Sequence, residues 1–371
     1  MFAECSSNHP VSIHSEVMRV FWIAGEPSGD IQAAALVGAL KDAVPEVEQA
    51  GWGGTHMSEA GMKQLFDLPG KPLMGFVEVV LKATTIYRQV QEVKKDITAF
   101  QPEVLILVDY AGFNLRIAKW AKSQGIRVVY YIPPKIWAWK ESRLKPLTQY
   151  SDAILSILPF EEHWYAARGH EAHYVGNPLL LKYAEEDLYE EGSKKVLLLP
   201  GSRMQEIKRL MPEFIALAEA LPEYRFHVVR AASVRESWPY GQLPGNLVIE
   251  DCSLVEAAER SEYALTCSGT ASLEIALLGI PQSVVYKANS ISLAIARKLV
   301  KVDYFSLPNL IMDEPMVPEF LQEQVHLEQL KSLVMTGGEQ QLHDMARLRK
   351  RMGARNLAQD AVPRILAVLK D

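Results

Sequence analysis

The stretch Val104-Leu105-Ile106-Leu107-Val108-Asp109-Tyr110 decides the fold. Its uninterrupted apolar run reads as a strand buried on both faces, which belongs in a parallel sheet covered by helices. The run closes on a carboxylate, and in open α/β sheets ligands sit at the carboxyl ends of strands. Working outward, the same alternation of short apolar runs and helical patterns recurs. A strand at 20–24 precedes a helix at 30–42, a helix at 114–124 follows the quoted strand, and another strand comes at 127–132. That alternation predicts a parallel sheet with crossover helices. A second series begins at 196–199, with a helical pattern at 205–217, and continues through 225–229, 247–250, 263–266 and 282–286 into helical C-terminal sequence. Between the series lie the turn-forming Val175-Gly176-Asn177-Pro178 and the acidic stretch 185–191, so the break is expected near 178. The expected division is a loose extension at 1–17, a first Rossmann-like domain at 18–177, a second at 178–350, and a C-terminal helix at 351–371 packing back on the first.

Length and composition agree with two α/β units. At about 150 residues per domain, 371 residues make roughly two domains. A content of 49% hydrophobic and 23% charged residues excludes disorder, collagen and coiled coil. With 39 Lys+Arg against 45 Asp+Glu the net charge is −6, so the molecule as a whole is no polyanion binder and any basic site is local. Cys5, Cys252 and Cys267 are too few and too scattered for a disulfide framework or zinc ribbon, which points to the reducing bacterial or organellar cytosol. No apolar run reaches the about 18 residues that a membrane span needs, and residues 1–17 lack the basic start and apolar centre of a signal peptide.

Missing motifs narrow the chemistry. Gly25-Glu26-Pro27-Ser28-Gly29-Asp30 follows the first strand in place of Gly-x-Gly-x-x-Gly, which disfavours dinucleotide binding. There is no Gly-x-x-x-x-Gly-Lys-Ser/Thr, no Gly-x-Ser-x-Gly, no His-x-x-x-His and no Asp-x-Asp. A phosphate ligand would therefore be met by Arg, backbone N–H groups and helix N-termini, with no metal and no cofactor.

Four strand ends carry candidate chemistry. At the first, Gly25, Ser28 and Gly29 let the backbone approach a ligand and Glu26 offers an acid/base or hydroxyl acceptor; the competing reading is a turn with Asp30 capping the helix. At the second, a low dielectric can raise Asp109 toward general-base use, against a plain turn residue bonding Gly112 or Asn114 backbone. At the third, Gly201, Ser202 and Arg203 open a helix and form a cradle for a diphosphate, against a surface turn. At the fourth, Ser268, Gly269 and Thr270 present N–H groups to phosphate and Glu274 can accept from a ribose diol, against a capping box with Glu274 in solvent.

Apolar residues at 76, 79, 80, 83, 86, 87, 90, 93, 97 and 100 trace one helical face, with Val77 and Leu81 off it and Lys82 and Arg88 nearby. A basic-flanked apolar patch of this kind suits an anionic membrane or lipid substrate, a dimer interface, or core packing. Trp137-Ala138-Trp139-Lys140, with Lys135, Arg143 and Lys145, adds aromatics and positive charge; single-stranded nucleic acid would accept such a mix, but the overall acidity argues against it.

At these residues the sequence resembles the lipid-A-disaccharide synthases, inverting glycosyltransferases of GT-B architecture, in which two Rossmann-like domains face their parallel sheets onto a central cleft. The resemblance runs from about Met18 to Gln324. It is carried in order by Ala24-Gly-Glu-Pro-Ser-Gly-Asp30, Met74-Gly-Phe-Val-Glu78, Val108-Asp-Tyr-Ala-Gly-Phe-Asn114, Lys135-Ile-Trp-Ala-Trp139 and Leu158-Pro-Phe-Glu161, then Gly176-Asn-Pro178, Leu199-Pro-Gly-Ser-Arg203, Ser268-Gly-Thr270 with Glu274, and Ser306-Leu-Pro-Asn-Leu310. The resemblance implies transfer of 2,3-diacylglucosamine from its UDP form to the 6-hydroxyl of 2,3-diacylglucosamine 1-phosphate, with release of UDP. It implies Asp109 as base, Glu26 as essential, Arg203, Glu274 and Asn309 around UDP, and Ser28, Asn114, Trp137, Trp139, Val77 and Leu81 on the acceptor and lipid side. It further implies peripheral association with the cytoplasmic face of the inner membrane, and a homodimer is a further expectation. Many relatives carry Ala-Pro-Asp where this chain has Tyr110-Ala111-Gly112, and Ser-Pro-Ser where it has Pro133-Pro134-Lys135; Tyr110 and Lys135-Ile136 resemble the Bacteroidetes branch. The rival functions are a UDP-sugar 2-epimerase of the same fold and a nucleotide-sugar binder without catalysis.

Overall fold

The computed structural model describes residues 17–67, 83–183, 187–231, 234–235, 237–267, 269–287 and 302–370. Strands β1 (Arg19–Ala24), β2 (Glu48–Gly53), β3 (Lys63–Asp67), β4 (Val104–Val108), β5 (Arg127–Tyr131), β6 (Ala153–Ser156) and β7 (His173–Tyr174) form one sheet in the order β3-β2-β1-β4-β5-β6-β7. Strands β8 (Lys195–Leu199), β9 (Arg225–Val229), β10 (Leu247–Glu250), β11 (Tyr263–Thr266), β12 (Gln282–Tyr286) and β13 (Glu319–Leu321) form a second, in the order β10-β9-β8-β11-β12-β13. Every pairing is parallel.

Burial explains the parallel choice. All five residues of β4 are fully buried: Leu105 and Leu107 pack with Phe21 and Ile23 on one face, while Val104, Ile106 and Val108 pack with Val20 and Trp22 on the other. Each such aliphatic contributes about 1.5–3 kcal/mol by leaving water, which ties the strand to both helical layers. In β8 the same alternation sends Val196 and Leu198 to one face and Leu197 and Leu199 to the other.

Three observed helices extend the sequence expectations: Pro27–Ala43, with proline in its first turn, Ala111–Ser123, and Met204–Ala220. The first helix is not capped by Asp30. That buried carboxylate reaches across to accept from the backbone N–H groups of Gly54 (2.8 Å), His56 (3.1 Å) and Met57 (3.1 Å), so it fastens the turn after β2.

The last strand of the first sheet ends at Tyr174 and the first of the second begins at Lys195. In the intervening segment Asn177 caps the helix Pro178–Lys182, its side chain accepting from Leu179 N–H at 3.0 Å. The chain later returns: helices Leu357–Asp360 and Val362–Ala367 pack on helix Pro27–Ala43, and the Tyr174 hydroxyl donates to the carbonyl of Met352 at 2.7 Å. Residues 1–16 and Met74–Glu78, with Val77 and Leu81, lie outside the described residues, as does Ser268. Helix Ala83–Phe100 carries the rest of the 76–100 periodicity, and Val90, Val93 and Ile97 are core. Among the described residues no helix is long and apolar enough to cross a membrane.

Candidate active site at the two switch points

In each sheet the strand order reverses once, and at such a point the loops leaving two neighbouring strands diverge to opposite faces and open a crevice. In the first sheet the reversal lies between β1 and β4, where Ala24 is in register with Val108. Glu26 and Asp109 leave from these neighbouring strand ends. In the second sheet it lies between β8 and β11, where Thr266 is in register with Leu199. The loops that leave there carry Gly201-Ser202-Arg203 and Gly269-Thr270. The four strand ends selected from sequence thus form two crevices, one per sheet.

The Asp109 crevice is built on strained backbone. Asp109 and Tyr110 both sit at φ 44°, and Ile132, at the end of the adjacent strand, at φ 59°. Asp109 N–H donates to Ile132 O at 3.1 Å. Buried Asn114, in the first turn of the following helix, donates Nδ2 to the carbonyls of Val108 and Asp109, both at 3.0 Å, and the Tyr130 hydroxyl donates to the Asp109 carbonyl at 2.6 Å. These bonds offset left-handed strain of about 1–2 kcal/mol per residue through the main chain, while the carboxylate takes the Tyr110 N–H. Asn114 therefore acts on the backbone of Asp109, a positioning role. Gly25 is required by close approach: a Cβ there would lie 2.2 Å from Tyr110 Cδ1, so the ring of Tyr110 lies against the Gly25-Glu26 turn.

Burial pushes the Asp109 carboxyl above its ordinary range, against the pull of Lys135, the Tyr110 backbone N–H and Arg143. Glu26 is raised by burial and by the charge of Asp109, and lowered by Arg203 and Lys135. Its side chain makes no capping bond, so the helix it precedes does not need it. Arg203 belongs to the second sheet, so Glu26 lies in the fields of both crevices. Lys135, a departure from the commoner Ser-Pro-Ser, is exposed and acts on Asp109, Glu26 and Glu161 together.

The aromatic loop divides. Trp137 is buried, donates Nε1–H to Glu161 Oε1 at 2.8 Å and packs edge-on against Phe160 at 4.9 Å, so it supports the loop from inside. Trp139 is exposed, as is Ser28 on the first helical turn after Glu26. Burial raises Glu161 to about 7.

In the second crevice Arg203 is the N-cap residue of helix Met204–Ala220, and its guanidinium pairs with Glu206 at 3.0 Å. Among the described residues its Nε–H has no hydrogen-bond partner. Gly201 turns at φ 109°, where a Cβ would lie 2.4 Å from Glu206 Oε2. Helix Thr270–Leu277 starts from Gly269, which supplies no capping side chain, and so its first N–H groups keep their capacity for an anion. Glu274 is half-buried rather than in solvent: its Oε1 accepts from the Tyr183 hydroxyl at 2.9 Å, while burial raises its carboxyl. Asn309 is buried and commits Nδ2 to Val317 O and Glu319 Oε1, both at 2.8 Å, while Oδ1 accepts from Val317 N–H. That leaves it one lone pair for a ligand. Tyr183, Glu206 and Tyr130 carry no motif of their own and meet the site only through folding.

Among the described residues no group of three or more His, Cys, Asp or Glu side chains gathers as a metal site would need. The arrangement offers a raised carboxyl pair on one sheet, and a guanidinium with an uncapped helix N-terminus on the other. That combination can take a proton from a hydroxyl and stabilise a departing diphosphate.

Solved structures share the architecture. A glycosyltransferase of kitacinnamycin aligns with a TM-score of 0.69 at 14% identity over 95% of this chain and 99% of its own. The spinosyn rhamnosyltransferase aligns at 0.59 and 15%, over 95% and 99%. A UDP-GlcNAc 2-epimerase from Neisseria meningitidis aligns at 0.57 and 15% over the same shares, so the fold alone does not separate transfer from epimerisation. Sequence separates them. The lipid-A-disaccharide synthase of Nitrosococcus oceani is 38% identical over 83% of this chain and 84% of its own, and that of Syntrophus aciditrophicus 33% over 95% and 98%. The lipid-A-disaccharide synthetase family matches residues 20–364. With two parallel-sheet domains of GT-B type and these relatives, the chain belongs to the lipid-A-disaccharide synthetase family and is a glycosyltransferase of lipid A biosynthesis.

Proposed function

We propose that the donor is UDP-2,3-diacylglucosamine, that the acceptor is 2,3-diacylglucosamine 1-phosphate, and that Asp109 takes the proton from the acceptor 6-hydroxyl. As that oxygen bonds to C1 of the donor sugar, the C1–O bond to UDP breaks and its electron pair leaves on the diphosphate. Arg203, the uncapped start of helix Thr270–Leu277 and the Gly201-Ser202 turn balance the charge of UDP, and Glu274 turns its unbonded oxygen to the ribose. Glu26 stands between the two centres and orients the acceptor.

The observation that carries this reading is the double field on Glu26, raised by Asp109 from one sheet and lowered by Arg203 from the other. It supports a reading in which the proposed base and the proposed phosphate ligand act on the same side chain. A general base is most effective with its pKa near the working pH, and burial moves Asp109 in that direction. The test is UDP release from the UDP-diacylglucosamine donor with and without the lipid acceptor. Release that needs the acceptor supports transfer; acceptor-independent turnover, or conversion to an epimer, refutes it.

The lipid substrates place the protein against the cytoplasmic face of the inner membrane. Val77 and Leu81 are the proposed contacts. Their double replacement by Ser is expected to shift protein from membrane to soluble fractions, each lost aliphatic contact removing about 1.5–3 kcal/mol. Intact folding with unchanged membrane association would place the contact elsewhere.

A further inference from the structure

Trp139, Lys140 and Arg143, which follow the end of β5, form a cluster that none of the steps above uses. The Lys140 ammonium lies 4.5 Å from the centroid of the Trp139 ring and the Arg143 guanidinium 5.7 Å from it. Two cations therefore converge on one exposed indole, 41% accessible. Neither forms an ion pair among the described residues. The carboxylate between them in sequence, Glu141, is turned to Arg168 at 2.7 Å, which itself stacks on Trp164 at 3.9 Å. Partial burial and the charge of Arg143 hold the Lys140 ammonium below its ordinary pKa. Like charges kept together without a carboxylate repel each other, and an anion placed between them relieves the repulsion. The charge of Arg143 also acts on Asp109 and Tyr130, so the Arg143 end of the cluster is turned to the side of the proposed base.

We infer that Lys140 and Arg143, held on Trp139, seat the phosphate monoester of the acceptor. This rests on the transferase reading, in which the acceptor carries its phosphate on C1 and its nucleophilic 6-hydroxyl on the arm of C5, the two carbons that flank the ring oxygen. A phosphate monoester brings close to two negative charges and three acceptor oxygens, which a guanidinium fork and an ammonium bind together. Holding the phosphate on this cluster keeps the 6-hydroxyl, on the same edge of the ring, within reach of the neighbouring Asp109. The cluster thereby selects the phosphorylated acceptor over a neutral one. An anionic lipid headgroup offers the same chemistry, and the test separates the two.

The assay is UDP release in neutral detergent with the UDP-diacylglucosamine donor and either of two acceptors, 2,3-diacylglucosamine 1-phosphate or its uncharged methyl glycoside. The wild type is expected to favour the phosphate acceptor, and Lys140→Gln or Arg143→Gln to lower the ratio of the two kcat/KM values by about 10- to 100-fold, with UDP affinity retained as the check on folding. A loss shared equally by both acceptors, a ratio that does not move, or a wild type that does not discriminate overturns the inference. If the wild type releases UDP with neither acceptor, the transferase reading fails and the inference with it. Sedimentation with phosphatidylcholine vesicles, with and without phosphatidylglycerol, is expected to be the same for wild type and variants. Loss of binding to the anionic vesicles, with the acceptor ratio intact, would assign these cations to the membrane and overturn the inference.

Discussion

Asp109→Asn isolates the charge of the proposed base from every other task of that residue. Position 109 sits at φ 44°, a left-handed conformation that asparagine tolerates better than most residues, so the backbone accepts the change. The bonds that fix the site use the main-chain carbonyl, which accepts from Asn114 and Tyr130 whatever the side chain. The substitution also removes a carboxylate that burial disfavours, so stability is expected to hold or rise by up to about 1 kcal/mol above neutral pH. Turnover is expected to fall by about two to four orders of magnitude, equivalent to about 3–5 kcal/mol of barrier. UDP affinity should stay near wild type, because Arg203 and the uncapped helix start belong to the other sheet. Asp109 raises Glu26, so removing that charge lets the Glu26 pKa fall and shifts any acid limb due to Glu26 to lower pH. The measurement is steady-state UDP release across about pH 5–9, with calorimetric UDP binding and urea melts, and with Glu26→Gln run in parallel. Turnover within about threefold of wild type, beside a collapse in Glu26→Gln, would hand proton removal to Glu26. Lost stability with an intact rate would make Asp109 a turn residue.

Arg203→Ala should weaken UDP by about 10- to 100-fold, the scale of one charge-assisted contact of about 1.5–3 kcal/mol, read by calorimetry; unchanged affinity would reduce Arg203 to a helix cap paired with Glu206. Gly25→Ala places a methyl 2.2 Å from Tyr110 Cδ1 and should cut turnover at least about tenfold, with Tyr110→Ala restoring part of it; no rescue would mean that the ring moves freely. Glu161 illustrates the pH sign. Its folded pKa is raised from 4.5 to about 7, so the folded state keeps a proton that the unfolded chain gives up, and stability falls as pH rises through that window. Glu161→Gln still accepts from Trp137 and should gain on wild type by about 3 kcal/mol between pH 4 and pH 8 in urea melts. A constant difference across that range would show that Glu161 does not titrate there.

Strand recognition followed apolar runs and not burial: β10 was readable although Val248 is exposed, whereas β2, buried in five of its six residues, was not. The boundaries of β9, β10, β11 and β12 are readable directly from their apolar runs. β2 escaped because Glu48-Gln49-Ala50-Gly51-Trp52-Gly53 has no such run: a Cβ at Gly51 would lie 2.2 Å from Trp22 O, so the sheet itself demands the residue that hides the strand. β3 is an edge strand with alternating half-burial, and β7 has two residues, too short for any period to show. At the site, Glu26, Asp109 and Arg203 were legible because strand ends in open sheets are where ligands sit. The Tyr183 hydroxyl on Glu274 joins residues 91 apart, and no local pattern announces such a contact. The bond of Trp137 to Glu161 was likewise hidden, because an aromatic near a basic run has the same composition whether it faces solvent or a buried glutamate.

The return of the C-terminal chain has a mechanical consequence. The polypeptide crosses between the two sheets once through the segment that follows Tyr174, and again where helices Leu357–Asp360 and Val362–Ala367 reach helix Pro27–Ala43. The Tyr174 hydroxyl on the Met352 carbonyl joins the two crossings. The two sheets are thereby tied at one margin by two chain segments bonded to each other, a junction that one linker alone would not make.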